Sequence, residues 1–297
     1  MEIAAPSVIS NLKSPISVVD MVTTYELVSG KLKHVSDVVS MNAASAQLPQ
    51  GAYTTFRTYM GDRVLRLAQH LRRLEESVAL LKVEDTLDDD LVRRGLGAAS
   101  RQTGYAESRM RLTFSPPQFF ISIEPFTPYP AALYEEGAWC VSVTTQRNNP
   151  HAKSTAFIAS AGDAYKALPA GAHEGLMIDA DGTLLEGLSS NFFALLDDTL
   201  HTEQGRALVG VTQSLALEVA RLVLPELTLS SNGIAYAMLP RASECFITSV
   251  SREIVPVARI DDQTIGTGVP GPVTKRLIAG MQELIAREAR SVLQSNP

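Results

Sequence analysis

Between Tyr53 and Tyr59 the side chains alternate with a period of two, which predicts a strand with Tyr53, Thr55, Arg57 and Tyr59 on one face and Thr54, Phe56 and Thr58 on the other. After the turn signal Gly61-Asp62 the period lengthens. Leu67, Leu71, Leu74, Val78 and Leu81 recur at helical spacing, so a helix is predicted over Leu67–Leu81 with this stripe facing the core. His70, Arg73 and Ser77 form a parallel row beside it. A second helix is expected from about Leu91, opened by Asp88, Asp89 and Asp90, whose carboxylates suit a helix N-terminus. Arg109–Phe114 and Phe119–Glu124 read as a hairpin around Pro116-Pro117, with Met110, Leu112 and Phe114 on one face and Arg109, Arg111 and Thr113 on the other.

Residues 1 to about 45 give few signals and are expected to be an arm or partly ordered lead-in. Phe126 to Glu136, with Pro128 and Pro130 before Gly137, is the best linker, so the chain is expected to divide into 1–127, a linker at 128–137, and 138–297. In the second part strands are predicted at about 138–145, 174–179, 183–186, 191–196, 243–249 and 254–259. Asp181-Gly182 marks a hairpin turn. Gly210-Val211-Thr212 precedes a helix with Leu215, Val219 and Leu222 on one side. Asp262–Gly271 is a glycine-rich loop, and a terminal helix runs from about Val273 past Ile285. Strands and helices are mixed without a regular alternation, which indicates an α+β class with two domains.

Composition narrows the function. At 297 residues the chain is long enough for two domains of ordinary size or one large one, and 45% hydrophobic content can bury a real core. A net charge of -6 without a basic stripe argues against nucleic acid or an anionic membrane as partner. Cys140 and Cys245 lie in strand-like runs and read as buried small hydrophobes, and the His and Cys spacing offers no metal site. No signal peptide and no apolar run of about 18 residues is present, so the cytoplasm is the default location.

The chemistry concentrates between Asn148 and Phe193. A lysine stands in a polar lead-in, Asn149-Pro150-His151-Ala152-Lys153, and a carboxylate opens the cluster Glu186-Gly187-Leu188-Ser189-Ser190-Asn191. Each is expected at a strand end. A lysine that acts as an amine nucleophile needs a carbonyl partner, and pyridoxal phosphate is the commonest one an enzyme retains. Gly266-Thr267-Gly268-Val269-Pro270-Gly271 follows no strand-to-helix turn of the dinucleotide-binding kind, so that reading is rejected.

Together, Lys153, the Glu-Gly-x-x-x-Asn cluster about thirty residues on, Gly-Val-Thr before a helix, Glu244-Cys245-Phe246-Ile247-Thr248-Ser249, and the glycine loop ending at Pro272 resemble the class IV (fold type IV) pyridoxal-phosphate aminotransferases. That family includes branched-chain and D-amino acid aminotransferases and aminodeoxychorismate lyase. The resemblance covers about residues 51 to 285. It implies a smaller N-terminal α/β domain, a larger strand-rich cofactor domain, and a homodimer with sites near the interface. It places the Schiff-base lysine on Lys153 and the carboxylate facing the pyridine nitrogen on Glu186, with Asn191 as a supporting hydrogen-bonder.

The same resemblance assigns the cofactor phosphate to Val211 and Thr212 at a helix start, to Arg73, and to Ser249. Val250 stands where threonine is usual, which loses a hydroxyl but keeps a backbone N–H, and Ser251 can take over. Phe157 replaces a tyrosine of the branched-chain enzymes, and Tyr53 matches a tyrosine of the D-amino acid enzymes that substitutes for it. The substrate carboxylate is expected at Arg109, Arg111 or Arg57, with Arg252 also in reach, because arginine pairs bidentately with carboxylates. His70, His151 and His173 read as structural. Three activities stay open: transamination between an amino acid and a 2-oxo acid, lyase release of pyruvate and 4-aminobenzoate, and a homologue that only binds.

Overall fold

The computed structural model describes residues 21–81 and 85–294. Its first unit is a five-stranded antiparallel sheet. The strands are β1 (Val22–Val28), β2 (Lys31–Val38), β3 (Ala52–Arg57), β5 (Ser108–Ser115) and β6 (Gln118–Pro125), in the order β2-β1-β6-β5-β3. A short α1 (Met41–Ala46) follows β2, and β4 (Arg63–Val64) lies outside the sheet. Helices α2 (Leu67–Leu80) and α3 (Asp89–Thr103) cover one face, where Phe56, Leu71, Leu74, Leu96, Met110, Leu112 and Ile121 form the core. The α2 stripe packs as its periodicity requires, and the Asp88 carboxylate caps α3 by accepting from Leu91 N at 2.9 Å.

The expected N-terminal arm is corrected in part. Residues 1–20 lie outside the described residues, but 21–46 form β1, β2 and α1, and β1 is an interior strand. Its partner β6 lies about a hundred residues away along the chain, so the pairing leaves little local sign. The linker is also less plain than expected, because α4 (Ala131–Glu135) sits inside it and buries Leu133.

The second unit is a nine-stranded sheet that curls into a barrel. Its members are β7 (Ala138–Val143), β8 (Glu174–Ile178), β9 (Leu184–Gly187), β10 (Asn191–Leu196), β11 (Thr199–Thr202), β12 (Thr228–Ser230), β13 (Glu244–Ser249), β14 (Glu253–Ile260) and β15 (Gln263–Thr264). The path β10-β13-β14-β7-β8-β9 returns to β10 through one pair, Glu186 with Asn191. β10 reads Asn-Phe-Phe-Ala-Leu-Leu because both of its faces are buried. Phe192, Ala194 and Leu196 join one core, whereas Phe193 and Leu195 join the core under α6 (Val211–Val223) and α7 (Pro272–Glu288). Phe193 stacks on its register partner Phe246 with centroids 4.6 Å apart.

The Asp181-Gly182 turn forms as expected, with Gly182 at a φ of 81° and Thr183 N donating to the Asp181 carboxylate. Leu222 is a correction: it is 63% exposed, and α6 buries Leu215, Ala216, Val219 and Ala220 instead. Helix α5 (Ala156–Ala167), directly after Lys153, was not anticipated, and its Phe157 and Ala161 pack against Met177 and Leu185. A two-residue β16 (Arg290–Ser291) pairs β4 and ties the end of the chain to the first unit.

The start of α7 carries its own anchor. The buried Glu244 carboxylate accepts from Val273 N at 3.0 Å and from both the N–H and the hydroxyl of Thr274 at 2.7 Å. Replacing Glu244 with alanine strands these donors at a helix N-terminus and should lower stability by about 1–3 kcal/mol. A urea midpoint equal to that of the parent protein would contradict this.

Candidate active site

A cavity of about 370 Å³ opens between the two units. This is within the range of about 300–1,000 Å³ common for small-ligand sites. One wall is the sheet face opposite α2 and α3, with Tyr53, Thr55, Arg109 and Arg111, while α2 contributes Arg73. The other wall comes from the barrel: Arg147, Lys153, Glu186, Ser189–Asn191, the start of α6 and the β13–β14 turn Thr248–Arg252.

Lys153 stands on the loop between β7 and α5, not at a strand end as expected. Its backbone is nevertheless fixed. Lys153 N donates to Ser77 Oγ at 3.1 Å, and Lys153 O accepts from Tyr53 N at 2.9 Å. Ser154 then bridges Ala52, so this loop adds to the free edge of β3. The Lys153 amine lies 4.8 Å from the centre of the Tyr53 ring. Burial lowers its pKa to about 8, Tyr53 and Glu186 oppose that shift, and Arg73 and Arg147 add to it. Burial disfavours ionisation of the Tyr53 phenol, but Lys153, Arg111, Arg147 and Arg73 together outweigh it and draw its pKa to about 8.

Glu186, in β9, is buried across the pair that closes the barrel. Its Oε1 accepts from Arg147 Nε at 2.8 Å and from Leu208 N at 3.2 Å. Burial raises its pKa, and Arg147, the Leu208 N–H and Lys153 counter the rise. Asn191 donates to Leu208 O at 2.7 Å, which holds the segment leading into α6. A Cβ at Gly210 would sit 2.1 Å from the Asn191 amide oxygen, so glycine is required where that segment meets the helix.

At the start of α6 the Gln213 side chain accepts from Gly210 N at 3.2 Å, but Gly210 has no side chain to cap the first-turn N–H groups, and Val211 and Thr212 there line the cavity. Uncapped N–H groups and the helix dipole there favour an anion. Arg73 Nε and Thr248 Oγ1 are buried without a hydrogen-bond partner among the described residues. The donors therefore fit a phosphate, the Lys153 amine fits an aldehyde, and Glu186 fits a protonated ring nitrogen. Val250 lines the cavity and packs against the core of the first unit, which explains an apolar residue there. Ser249 and Ser251 line it as well. Phe157 is buried beneath the Arg147 guanidinium, 3.8 Å from its ring centre, and is absent from the lining.

The arginines expected to meet substrate divide sharply. Arg57 is corrected: it lies outside the cavity, ion-paired to Glu107 at 2.6 Å and Glu253 at 3.4 Å, with Phe126 beneath it. Arg109 lines the cavity but is paired with Glu124. Arg252 is consumed by the buried Glu174 at 2.6 Å, within a network that includes Tyr165, Ser189 and Ser190. Arg111 has no acidic partner among the described residues. Its Nη1 donates to Met41 O and Ser45 Oγ, its Nε donates to Thr55, and its guanidinium lies over Tyr53.

His173 also lines the cavity, with Nδ1 accepting from Trp139 N at 3.1 Å. Arg147 and Tyr165 were missed from sequence. Neither sits in a local pattern: Arg147 acts through Glu186 on β9, and Tyr165 reaches from α5 to Glu174 on β8.

Residues 51–260 match the family model for class IV amino-transferases. The chain belongs to that family. It is a pyridoxal-phosphate-dependent aminotransferase of the α+β, fold type IV architecture. Over 266 residues it is 26% identical to the branched-chain-amino-acid aminotransferase of Pseudomonas aeruginosa, covering 80% of this chain and 84% of that one. Over 132 residues it is 35% identical to the D-alanine aminotransferase of Bacillus licheniformis, but that match spans only 43% of the enzyme and 41% of this chain. In fold it is similar to a T.th. branched-chain amino acid aminotransferase solved with pyridoxamine 5'-phosphate, with a TM-score of 0.75, 20% identity, and coverage of 91% of this chain and 98% of that one.

The depressed Lys153 pKa has a kinetic signature. Only the free amine attacks an aldehyde, so capture of pyridoxal followed by borohydride trapping should rise about tenfold per pH unit below about 8 and level off above it. Mass spectrometry of the peptide that holds Lys153 measures this. A plateau deferred to about 10.4, as for a solvated lysine, would count against the buried amine.

Proposed function

We propose that Lys153 is the catalytic residue and that the enzyme moves an amino group between an amino acid and a 2-oxo acid in this cavity. The observation that carries this reading is a buried amine of lowered pKa lining one cavity with a buried carboxylate, where Arg73 and Thr248 also have donors without a partner among the described residues. Pyridoxal phosphate, when bound, supplies an aldehyde that condenses with amines and a pyridinium ring that withdraws electrons from the substrate α-carbon. Arg73, Val211, Thr212, Ser249 and the Val250 backbone hold its phosphate. Glu186, fixed by Arg147, holds the proton on the ring nitrogen, and Asn191 keeps Glu186 and the start of α6 in register. Lys153, released as a free amine near neutral pH, takes the α-proton from one side of the reaction and returns it on the other. Tyr53, beside it and surrounded by cations, donates to the ring oxygen.

Arg111 best fits the substrate carboxylate. It is the cavity arginine on the sheet wall without an ion-pair partner, and its Nη1 is anchored on α1. Arg109 also lines the cavity, but its charge is shared with Glu124. The branched-chain and D-alanine enzymes among the relatives support an amino acid and a 2-oxo acid as the substrate pair, and do not favour a lyase outcome. The family resemblance supports a homodimer in the cytoplasm. Among the described residues no helix is long and apolar enough to cross a membrane.

Three experiments test the reading. The purified protein with pyridoxal phosphate should be yellow and bleach irreversibly with borohydride. Lys153→Ala should cut amine transfer from a panel of L- and D-amino acids by about a thousandfold. Retained colour fixation and transfer in that variant would sink the assignment. Arg111→Lys loses the bidentate fork, so the KM for a 2-oxo acid should rise about tenfold while that for a carboxylate-free amine stays level. Equal changes for both substrates would remove Arg111 from the role.

A further inference from the structure

Thr54 and Tyr53 are neighbours in β3 but face opposite ways. Tyr53 enters the cavity, and Thr54 is buried against α2. Arg73 Nη2 donates to Thr54 Oγ1 at 2.9 Å. A guanidinium has donors only, so the hydroxyl oxygen is the acceptor in that bond. The same oxygen lies 3.1 Å from His70 Nδ1, one turn back along α2. The threonine has a single proton, and no other partner for its hydroxyl is present among the described residues. That proton therefore goes to Nδ1, which places the ring proton on Nε2.

The opposite arrangement is the costlier one, because it strands a proton on the fully buried Thr54 hydroxyl. An Nδ1–H would give the oxygen two incoming donors and leave its own proton buried without an acceptor, which is costly. A charged imidazole would add a cation next to Arg73 and Lys153, within a wall that also holds Arg57, Tyr59 and Glu253. Burial first, then Arg73 and Lys153, hold the His70 pKa well below its ordinary value.

We propose that Thr54 and His70 are positioning residues for Arg73: the Nδ1 lone pair orients the Thr54 hydroxyl, which holds the guanidinium so that its buried, unpartnered Nε is left for the cofactor phosphate. The relay rests on the assignment of Arg73 to that phosphate. It separates two kinds of ligand, because only one that carries the phosphate gains from a correctly turned guanidinium.

The test is a pair of equilibrium titrations on cofactor-stripped full-length protein, followed by absorbance, with pyridoxal phosphate and with pyridoxal. Thr54→Val and His70→Leu should each raise the Kd for pyridoxal phosphate about tenfold, the worth of one hydrogen bond to a charged group. The Kd for pyridoxal should stay within about twofold. Thr54→Ser, which keeps the hydroxyl, and His70→Asn, whose amide oxygen replaces the Nδ1 lone pair, should bind both ligands like the parent. Unchanged phosphate-ester affinity in Thr54→Val, or an equal loss of both ligands, overturns the relay. Parent protein that takes up neither ligand defeats the site assignment itself. Histidine ¹⁵N spectra of the parent protein need no variant to fold: His70 should show an unprotonated Nδ1 and a protonated Nε2, and the reverse tautomer overturns the proposal.

Discussion

The main chain of Lys153 is held between the edge of β3 and the Ser77 hydroxyl, and the cavity depends on that grip. Ser77 itself donates to Arg73 O, so one turn of α2 supports both the amine loop and the guanidinium. Without this attachment the lysine would belong to an ordinary surface loop with an ordinary pKa. With it, the ammonium loses solvation, and its free-base form becomes accessible near neutral pH. Geometry of the first unit thereby sets the chemistry of a residue that belongs, by sequence, to the second.

The cavity is rich in cations, and their pairing decides their uses. Arg147 is held by Glu186, Arg252 by Glu174 and Arg109 by Glu124. Arg73 and Arg111 remain, one on α2 and one on β5, both lining the cavity. Two guanidinium groups of the first unit, one on α2 and one on the sheet, have no ion-pair partner among the described residues, and they match a molecule that carries both a phosphate and a carboxylate. Despite burial, the acidity of Tyr53 is raised by cavity cations, Lys153, Arg111, Arg147 and Arg73.

Much of this was legible in the chain. The alternation in Tyr53–Tyr59 separated the cavity-facing Tyr53 and Thr55 from the buried Thr54 and Phe56, and the α2 row of His70, Arg73 and Ser77 proved to be the row that supports the site. Alternation could not place Arg57, because it fixes a face and not a distance along it. Four residues of strand is about 13 Å, enough to carry Arg57 away from Tyr53 to Glu107 and Glu253. Arg147 has no local signal, since its partner lies on another strand. Helix α5 is alanine-rich with a diffuse apolar face, and β1 carries Thr-Thr and Glu within its run, so neither shows a clean period. β1 becomes a strand because β2 and β6 supply its hydrogen bonds.

The two walls are backed by largely different cores, one under α2 and α3 and the other inside and beside the barrel, so positions away from the Lys153 attachment can vary on one wall without repacking the other. Side chains on the cavity face of the antiparallel sheet can be exchanged while Glu186 and the start of α6 stay as they are. A lineage with this layout can change its diet without rebuilding its chemistry.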